Sequence, residues 1–302
     1  MKNQDEIFDD EVTVIGGSEW NPGREDPEYV HVGKKSHQER WKTTAIVLGT
    51  VLVLSAVFLL SRHLLYQKQF LKSRPDREII ARLTESVSGQ PGINMKIDDC
   101  LGVRMKIFAI DGLEAHFADT VPDCTDRSVY LVTRSADYRI KNDRREIIGD
   151  FIQDGNVLSR SRWRAGFMAI VDGQAQIGVS RTDRVFRYVL RHDGSFFRQM
   201  ALVSSGSRCD GQYILRGKVS RCAYARDIDG RLYFVETVYP EGLQSFADAL
   251  IEYGFTDAVY VTGGAQPDLF YRTPDGVPHG SYTDDKPHKL VIWTCRTQTP
   301  VL

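Results

Sequence analysis

The chain has 302 residues, 42% of them hydrophobic and 26% charged, which is enough apolar material for one sizeable globular domain with appendages. A net charge of −1 gives no electrostatic footprint for nucleic acid. Gly-x-Ser-x-Gly, P-loop and Gly-x-Gly-x-x-Gly motifs are all missing, so neither a serine hydrolase nor a nucleotide-binding protein is indicated, and no cofactor is expected.

Residues 1–42 begin acidic (Asp5, Glu6, Asp9, Asp10, Glu11), turn rich in Gly, Pro and Glu, and end basic. Such a segment has too little apolar surface to order itself, so a disordered tail is expected, available to a cytoplasmic partner. Thr43 to Ser61 carries no charge and, completed by Leu64 and Leu65, predicts one transmembrane helix at 43–65 that places the chain in a lipid bilayer. Trp41 and Tyr66 stand where aromatic belts form. More than 40 residues precede the apolar run and no Ala-x-Ala site follows it, so it reads as a signal anchor rather than a cleaved signal peptide. The flanking charges do not orient it, because Lys34, Lys35, Arg40 and Lys42 are balanced by Arg62, Lys68, Lys72, Arg74 and Arg77. All five cysteines follow the span, which suits an oxidising compartment for the remainder of the chain. Local pairing would join Cys100 to Cys124 and Cys209 to Cys222, leaving Cys295 over, and packing alone could equally bury all five as small hydrophobes.

Residues 66–92 read as a juxtamembrane helical linker. Pro75 breaks the membrane helix, Asp76 to Val87 carries Ile79, Ile80, Leu83 and Val87 on one helical face, and Ser88-Gly-Gln-Pro-Gly92 marks a boundary. From residue 93 onward Asp-Gly occurs seven times, mostly between β-type runs, which is hairpin punctuation. Gly166 to Val171 and Gln174 to Val179 around Asp172-Gly173 form the clearest hairpin, and Thr182-Asp183 opens a short helix carrying Val185, Phe186, Val189 and Leu190. Arg231 to Val238 and Asp257 to Thr262 are strand-like, with Leu243, Phe246, Ala247, Leu250 and Ile251 at helical spacing between them. Lys289 to Cys295 reads as a last strand. Strands outnumber helices, so residues 93–302 are expected to form one α+β domain with a mixed, mainly antiparallel sheet and a βαβ-like C-terminal unit.

That unit stops on Gly263-Gly264, and a Gly pair at the carboxyl end of a strand lets backbone N–H groups approach a ligand closely. Val261-Thr-Gly-Gly-Ala-Gln266 after Gly254, together with Asp193-Gly-Ser-Phe-Phe197 earlier, resembles the two Gly-rich motifs of the phosphodiester glycosidase domain, the family of the mannose-6-phosphate uncovering enzyme. The likeness spans roughly Arg164 to Arg296 and is nearer to membrane-anchored bacterial members. Thr262 stands where the family has Asp, Asp193 where it has Asn, Ser195 where it has Gly, and Ala265-Gln266 where it has Gly-Ser. The resemblance implies a domain on the periplasmic side of a bacterial inner membrane, with the tail in the cytoplasm. It also implies release of a sugar from a sugar-1-phosphodiester, so the expected ligand is a glycan or sugar phosphate.

Phosphate is a fair leaving group, so cationic and N–H donors on its oxygens can do much of the work that an acid does for an ordinary glycoside. Arg198 after the Phe-Phe pair, and Arg221 at the position of a family Arg, fit that part, and Asp193 and Glu236 are the carboxylates nearest the motifs. The four are the candidate catalytic residues. Gly194, Phe196, Thr262, Gly263, Gly264 and Gln266 are the candidate substrate contacts. Each has a plainer reading: Asp193 begins a turn, Glu236 faces solvent, and Phe196 and Phe197 either split between core and ligand or both pack through a bulge. His192, His279 and His288 lack metal-site spacing and read as surface residues. A binding module that kept the cleft without catalysis, and an envelope scaffold, are the rival functions.

Overall fold

The computed structural model describes residues 37–70, 74–123, 125–142, 144–161, 164–209, 217–264, 269–281 and 289–295. Contacts divide the chain into Met1–Phe58 and Leu59–Leu302. The helix α1 (His37–Phe70) includes a 22-residue stretch, Trp41–Arg62, long and apolar enough to cross a membrane and exposed throughout. It outruns the expected 43–65 at both ends because the flanking polar residues are helix formers too. The next helix, α2 (Arg74–Leu83), starts with its proline in the first turn, where a missing N–H is harmless. It stops at Leu83 rather than Val87, where Thr84 donates its hydroxyl back to Ala81 O.

Three sheets carry the rest. The largest runs β1 (Gly92–Cys100), β2 (Val103–Asp111), β15 (Leu232–Thr237), β14 (Ser220–Arg226), β16 (Asp257–Gly264), β12 (Ala201–Ser204), β13 (Ser207–Arg208). The second runs β10 (Gln174–Val179), β9 (Gly166–Val171), β11 (Ser195–Gln199), β7 (Phe151–Gln153), β8 (Asn156–Ser159). The third runs β18 (Pro278–Ser281), β17 (Leu269–Arg272), β4 (Val129–Arg134), β19 (Leu290–Thr294), β3 (Glu114–Ala118). A separate hairpin pairs β5 (Tyr138–Lys141) with β6 (Arg144–Ile147). The remaining helices are α3 (Arg184–Arg191) and α4 (Leu243–Tyr253). This is an α+β domain, and every described pairing is antiparallel. The unit β15–α4–β16 has its two strands parallel, yet they never pair, because β14 lies between them and is antiparallel to both.

Asp154-Gly155 and Asp172-Gly173 both adopt the left-handed region at each position (φ 47°, 73°, 49° and 78°), the geometry that two-residue hairpin turns require. The central core is shared by all three sheets: Phe108, Tyr224 and Phe234 from the first, Phe151, Met168 and Phe197 from the second, Phe117, Leu131 and Trp293 from the third. The opposite face of the first sheet is covered by α4 through Leu243, Phe246 and Leu250. The opposite face of the second is covered by α2 and α3. Both faces of β11 are therefore buried, and Phe196 and Phe197 point to opposite faces and are each fully buried with no bulge. Phe196 lies against Phe167 and Phe186.

Among the described residues no disulfide forms. Cys222 lies in the central core, while Cys209, whose N–H donates to Leu202 O, packs with Ala165, Val179 and Ala201, so the expected Cys209–Cys222 bridge is corrected to two buried thiols in separate clusters. The partner expected for Cys100, Cys124, lies outside the described residues.

Candidate functional site

Strand β16 ends in Gly263 and Gly264, with Gly264 opposite Ser220 of β14 and a register shift between Ser220 and Cys222. The neighbouring rung reads Val261, Cys222, Glu236, Lys106 across β16, β14, β15 and β2. Residues opposite one another share a face of the sheet. Glu236 follows Phe234 by two and Lys106 precedes Phe108 by two, so both project from the central-core face, where the apolar core gives way to charge.

Glu236 is 5% exposed. Lys106 Nζ lies 3.8 Å from its Oε1, and its Oε2 has no hydrogen-bond partner. Burial pushes the carboxyl above the usual carboxylate range, and Lys106 only partly offsets that. Burial and the Glu236 charge push the Cys222 thiol far up, while Arg134, at the end of β4, and Lys106 draw it down. Cys222 is thus an inert, protonated wall of the site, and Lys106 and Arg134 are the cations whose fields reach it. A buried carboxyl with one unpartnered oxygen and a raised pKa can take or give a proton, and cations with a Cβ-free strand end can receive an anion.

The other expected residues fall in three places. Asp193 is exposed in the left-handed region (φ 50°) and heads β11, with Gly155 N donating to Gly194 O at 2.9 Å. The far end of β11 leads to Met200, whose carbonyl accepts from Tyr260 N at 2.9 Å, so the first motif meets β16 at its tail. Asp193 stands about 20 Å back along the strand at about 3.3 Å per residue. Gly194 is required for packing, since a Cβ there would come 2.3 Å from Ile170 O.

Arg198 is fully buried, donating from Nε to Asp150 Oδ2 at 2.7 Å, from Nη1 to Ser180 O and from Nη2 to Thr182 O at 3.2 Å. Arg221 is 1% exposed; its Nε donates to Glu241 O at 2.9 Å and its Nη2 to Gly217 O at 2.8 Å. It alternates with Cys222 along β14 and so projects to the face opposite Glu236. Both guanidinium groups therefore hold backbone in place, Arg198 at the segment leading into α3 and Arg221 beside the residue that pairs with Gly264. For Thr262, Gly263 and Gly264 the backbone alone is described, and Gln266 lies outside the described residues. Lys106 and Arg134 were missed by sequence reasoning. A signal for Lys106 was present, since in Val103-Arg-Met-Lys-Ile-Phe108 it shares the parity of Phe108.

Two described cavities lie elsewhere: one of about 290 Å³ between Asp111, Gln174, Gln176, Arg231 and Trp293, and one of about 580 Å³ by Arg139, Glu146, Gly149 and Arg160. Neither holds a buried, unpartnered carboxylate, which is why charge and burial, rather than concavity, locate the candidate site. Among the described residues no cluster of His, Cys, Asp or Glu could hold a metal ion.

No family model matches the chain, and no curated relative does. Among solved structures the fold is similar to the zebrafish N-acetylglucosamine-1-phosphodiester alpha-N-acetylglucosaminidase catalytic domain auto-inhibited by its pro-peptide, at 13% identity and a TM-score of 0.50, over 70% of this chain and 86% of that one. It is also similar to a hypothetical protein from Synechocystis, at 12% identity and a TM-score of 0.42, over 67% of this chain and 62% of that one. At such identities the likeness is one of fold, and it agrees with the phosphodiester-glycosidase resemblance of the two Gly-rich motifs at that level.

Proposed function

We propose that the chain is a membrane-anchored hydrolase of the phosphodiester glycosidase type, acting on a sugar-1-phosphodiester at the strand end beside Glu236. The observation that carries the reading is the unpartnered Oε2 of a carboxyl buried to 5% exposure, with Lys106 at 3.8 Å from its other oxygen, one rung from the Gly-pair end of the sheet. Phosphate would lie against Lys106, Arg134 and the N–H groups of Gly263-Gly264. Glu236 would accept the proton of the attacking water as the C1–O bond breaks and the phosphate departs with the electron pair. A raised carboxyl pKa suits a base working near neutrality.

A second reading is favoured by a specific feature. Glycosidases ordinarily use two carboxylates, and here Glu236 is the one acid on its rung, with Thr262 where the family has Asp. A sugar-phosphate binding module of the same fold would look like this. Full-length protein in lipid discs, screened against sugar-1-phosphodiesters for turnover and for binding, separates the two. Turnover lost in Glu236→Gln supports the enzyme, binding without turnover supports the module, and neither turnover nor binding removes both.

In this reading residues 1–42 form the cytoplasmic tail, 43–65 the span, 66–92 the linker and 93–302 the periplasmic domain, with the acidic tail open to a cytoplasmic partner. Reporter fusions after Val301 test the topology, and activity confined to the cytoplasm would reverse it.

A further inference from the structure

Helix α3 has two unlike faces. Val185, Phe186 and Val189 are buried with Ile79 and Leu83 of α2, while Arg184, Arg187 and Arg191 are exposed, and together with Leu190 these arginines line a groove of about 430 Å³. Spacings of three and four residues put the three guanidinium groups on one side of the helix. The side-chain bonds described for them are to backbone of the helix and its N-cap, Arg187 Nε to Asp183 O at 3.4 Å and Arg191 Nε to Arg187 O at 3.2 Å. Asp183, one residue before the helix, has its carboxylate 3.4 Å from Arg160 Nη2. Three like charges four or fewer residues apart repel one another, so this face is unfavourable to the isolated domain and calls for an anionic surface.

The chain says which surface is at hand. Asp76, fully buried in the first turn of α2, accepts from the hydroxyls of Ser180 and Thr182, so the residues leading into α3 are pinned to the start of α2. Helix α2 begins at Arg74, and α1 ends at Phe70. Four Cα–Cα steps reach roughly 14 Å at most. From Arg62, where the apolar stretch ends, to Phe70 is roughly 12 Å of helix. The intervening sequence adds Lys68, Lys72, Arg74 and Arg77, and its one acid is the buried Asp76.

We infer that the arginine face of α3 docks on the anionic phosphate headgroups of the bilayer that α1 enters, and so sets the attitude of the domain on the membrane. The inference rests on the anchoring part of the proposed function. A basic side chain at an anionic surface strengthens binding about fivefold, so three acting together with a covalent tether are ample to bias one orientation.

The test uses the unaltered full-length chain in lipid discs of neutral phosphatidylcholine and in discs containing phosphatidylglycerol, with phenylglyoxal modification of arginines read by mass spectrometry. Arg139, whose side chain is 63% exposed, is the reference. Modification of Arg184, Arg187 and Arg191 is expected to slow about fivefold in the anionic discs and to recover in about 1 M salt, where the Debye length falls to about 3 Å, while Arg139 stays constant. Equal rates in the two lipids would overturn the inference. So would equal protection by inorganic phosphate in neutral discs, which would make the groove a site for free anions. Failure of the chain to enter discs at all would instead remove the anchor itself, a separate result.

Discussion

Two buried acids of the same domain make opposite use of burial. Asp150 is fully buried and saturated: Arg198 Nε at 2.7 Å, Ser161 N at 2.7 Å and Arg160 Nη1 at 3.5 Å. Glu236 is nearly as buried, with one cation at 3.8 Å and an oxygen that meets nothing. A satisfied buried charge is architecture, whereas an unsatisfied buried oxygen costs stability; Asp76 also leaves one oxygen unpartnered, but its other oxygen takes two hydroxyls, while Glu236 has one cation at 3.8 Å. The contrast also reassigns the arginine beside the Phe-Phe pair, because Arg198 spends its donors on Asp150 and on the carbonyls that lead into α3.

The strongest way to break this comparison is to remove the partner of the saturated acid. Arg198→Ala takes from the buried Asp150 its closest cation and leaves Oδ2 without that donor, with Ser161 N and Arg160 on Oδ1, and a loss of about 3–5 kcal/mol in chemical denaturation is expected. A loss below about 1 kcal/mol would mean that Asp150 is hydrated and the network is no keystone. Arg221→Ala is expected to follow at roughly 1.5–3 kcal/mol, the worth of charged hydrogen bonds to backbone, since it takes the guanidinium from Gly217 O and leaves Glu241 O with the Val219 N–H at 3.3 Å.

Glu236→Gln should move stability the other way. The folded-state pKa of Glu236 is raised by burial, so its contribution to stability is present below the unfolded pKa and is lost as pH rises through the folded value. The variant is expected to gain about 1–3 kcal/mol at neutral pH, little or nothing in acid, and to lose turnover if Glu236 carries the chemistry. Denaturation curves at several pH values check the sign, and a variant less stable than wild type at neutral pH would show that the carboxylate is well paired after all.

The sequence made much of this legible, and its silences have physical causes. The hairpin around Asp172-Gly173, α3, and the succession β15, α4, β16 all follow from local periodicity and turn chemistry, which a chain displays without knowing its neighbours. Glu236 was half legible. On a strand it shares a face with Leu232 and Phe234, which argued for the core, yet a carboxylate reads as solvent-facing until the other side of the sheet is known to be covered. The fate of Arg198 was not legible, because its acid lies 48 residues away in sequence and its carbonyl acceptors come from a loop of no distinctive composition. Likewise the pairing of Cys209 with Cys222 looked natural in sequence, and only the register that turns Cys222 into the central core prevents it.

The smallest effect sharpens the comparison most. Lys106 keeps a side-chain exposure of 37% and sits 3.8 Å from Glu236, so solvent screens the pair and Lys106→Met should change stability by less than about 1 kcal/mol. Its electrostatic role is nonetheless directional: Lys106 is the group that lowers the Glu236 pKa against burial, and removing it lets that pKa climb further. If Glu236 works as a base, the acid limb of the pH–activity profile moves to higher pH and activity at neutrality falls. If it works as an acid, the alkaline limb moves up instead and activity extends to higher pH. Carboxyl-carbon NMR of Glu236 in both proteins gives the same shift without turnover, so the sign of the coupling can be checked even in a chain that only binds. An unchanged titration would mean that Lys106 and Glu236 do not feel one another, and the rung across β15 and β2 would then be a chance adjacency rather than a site.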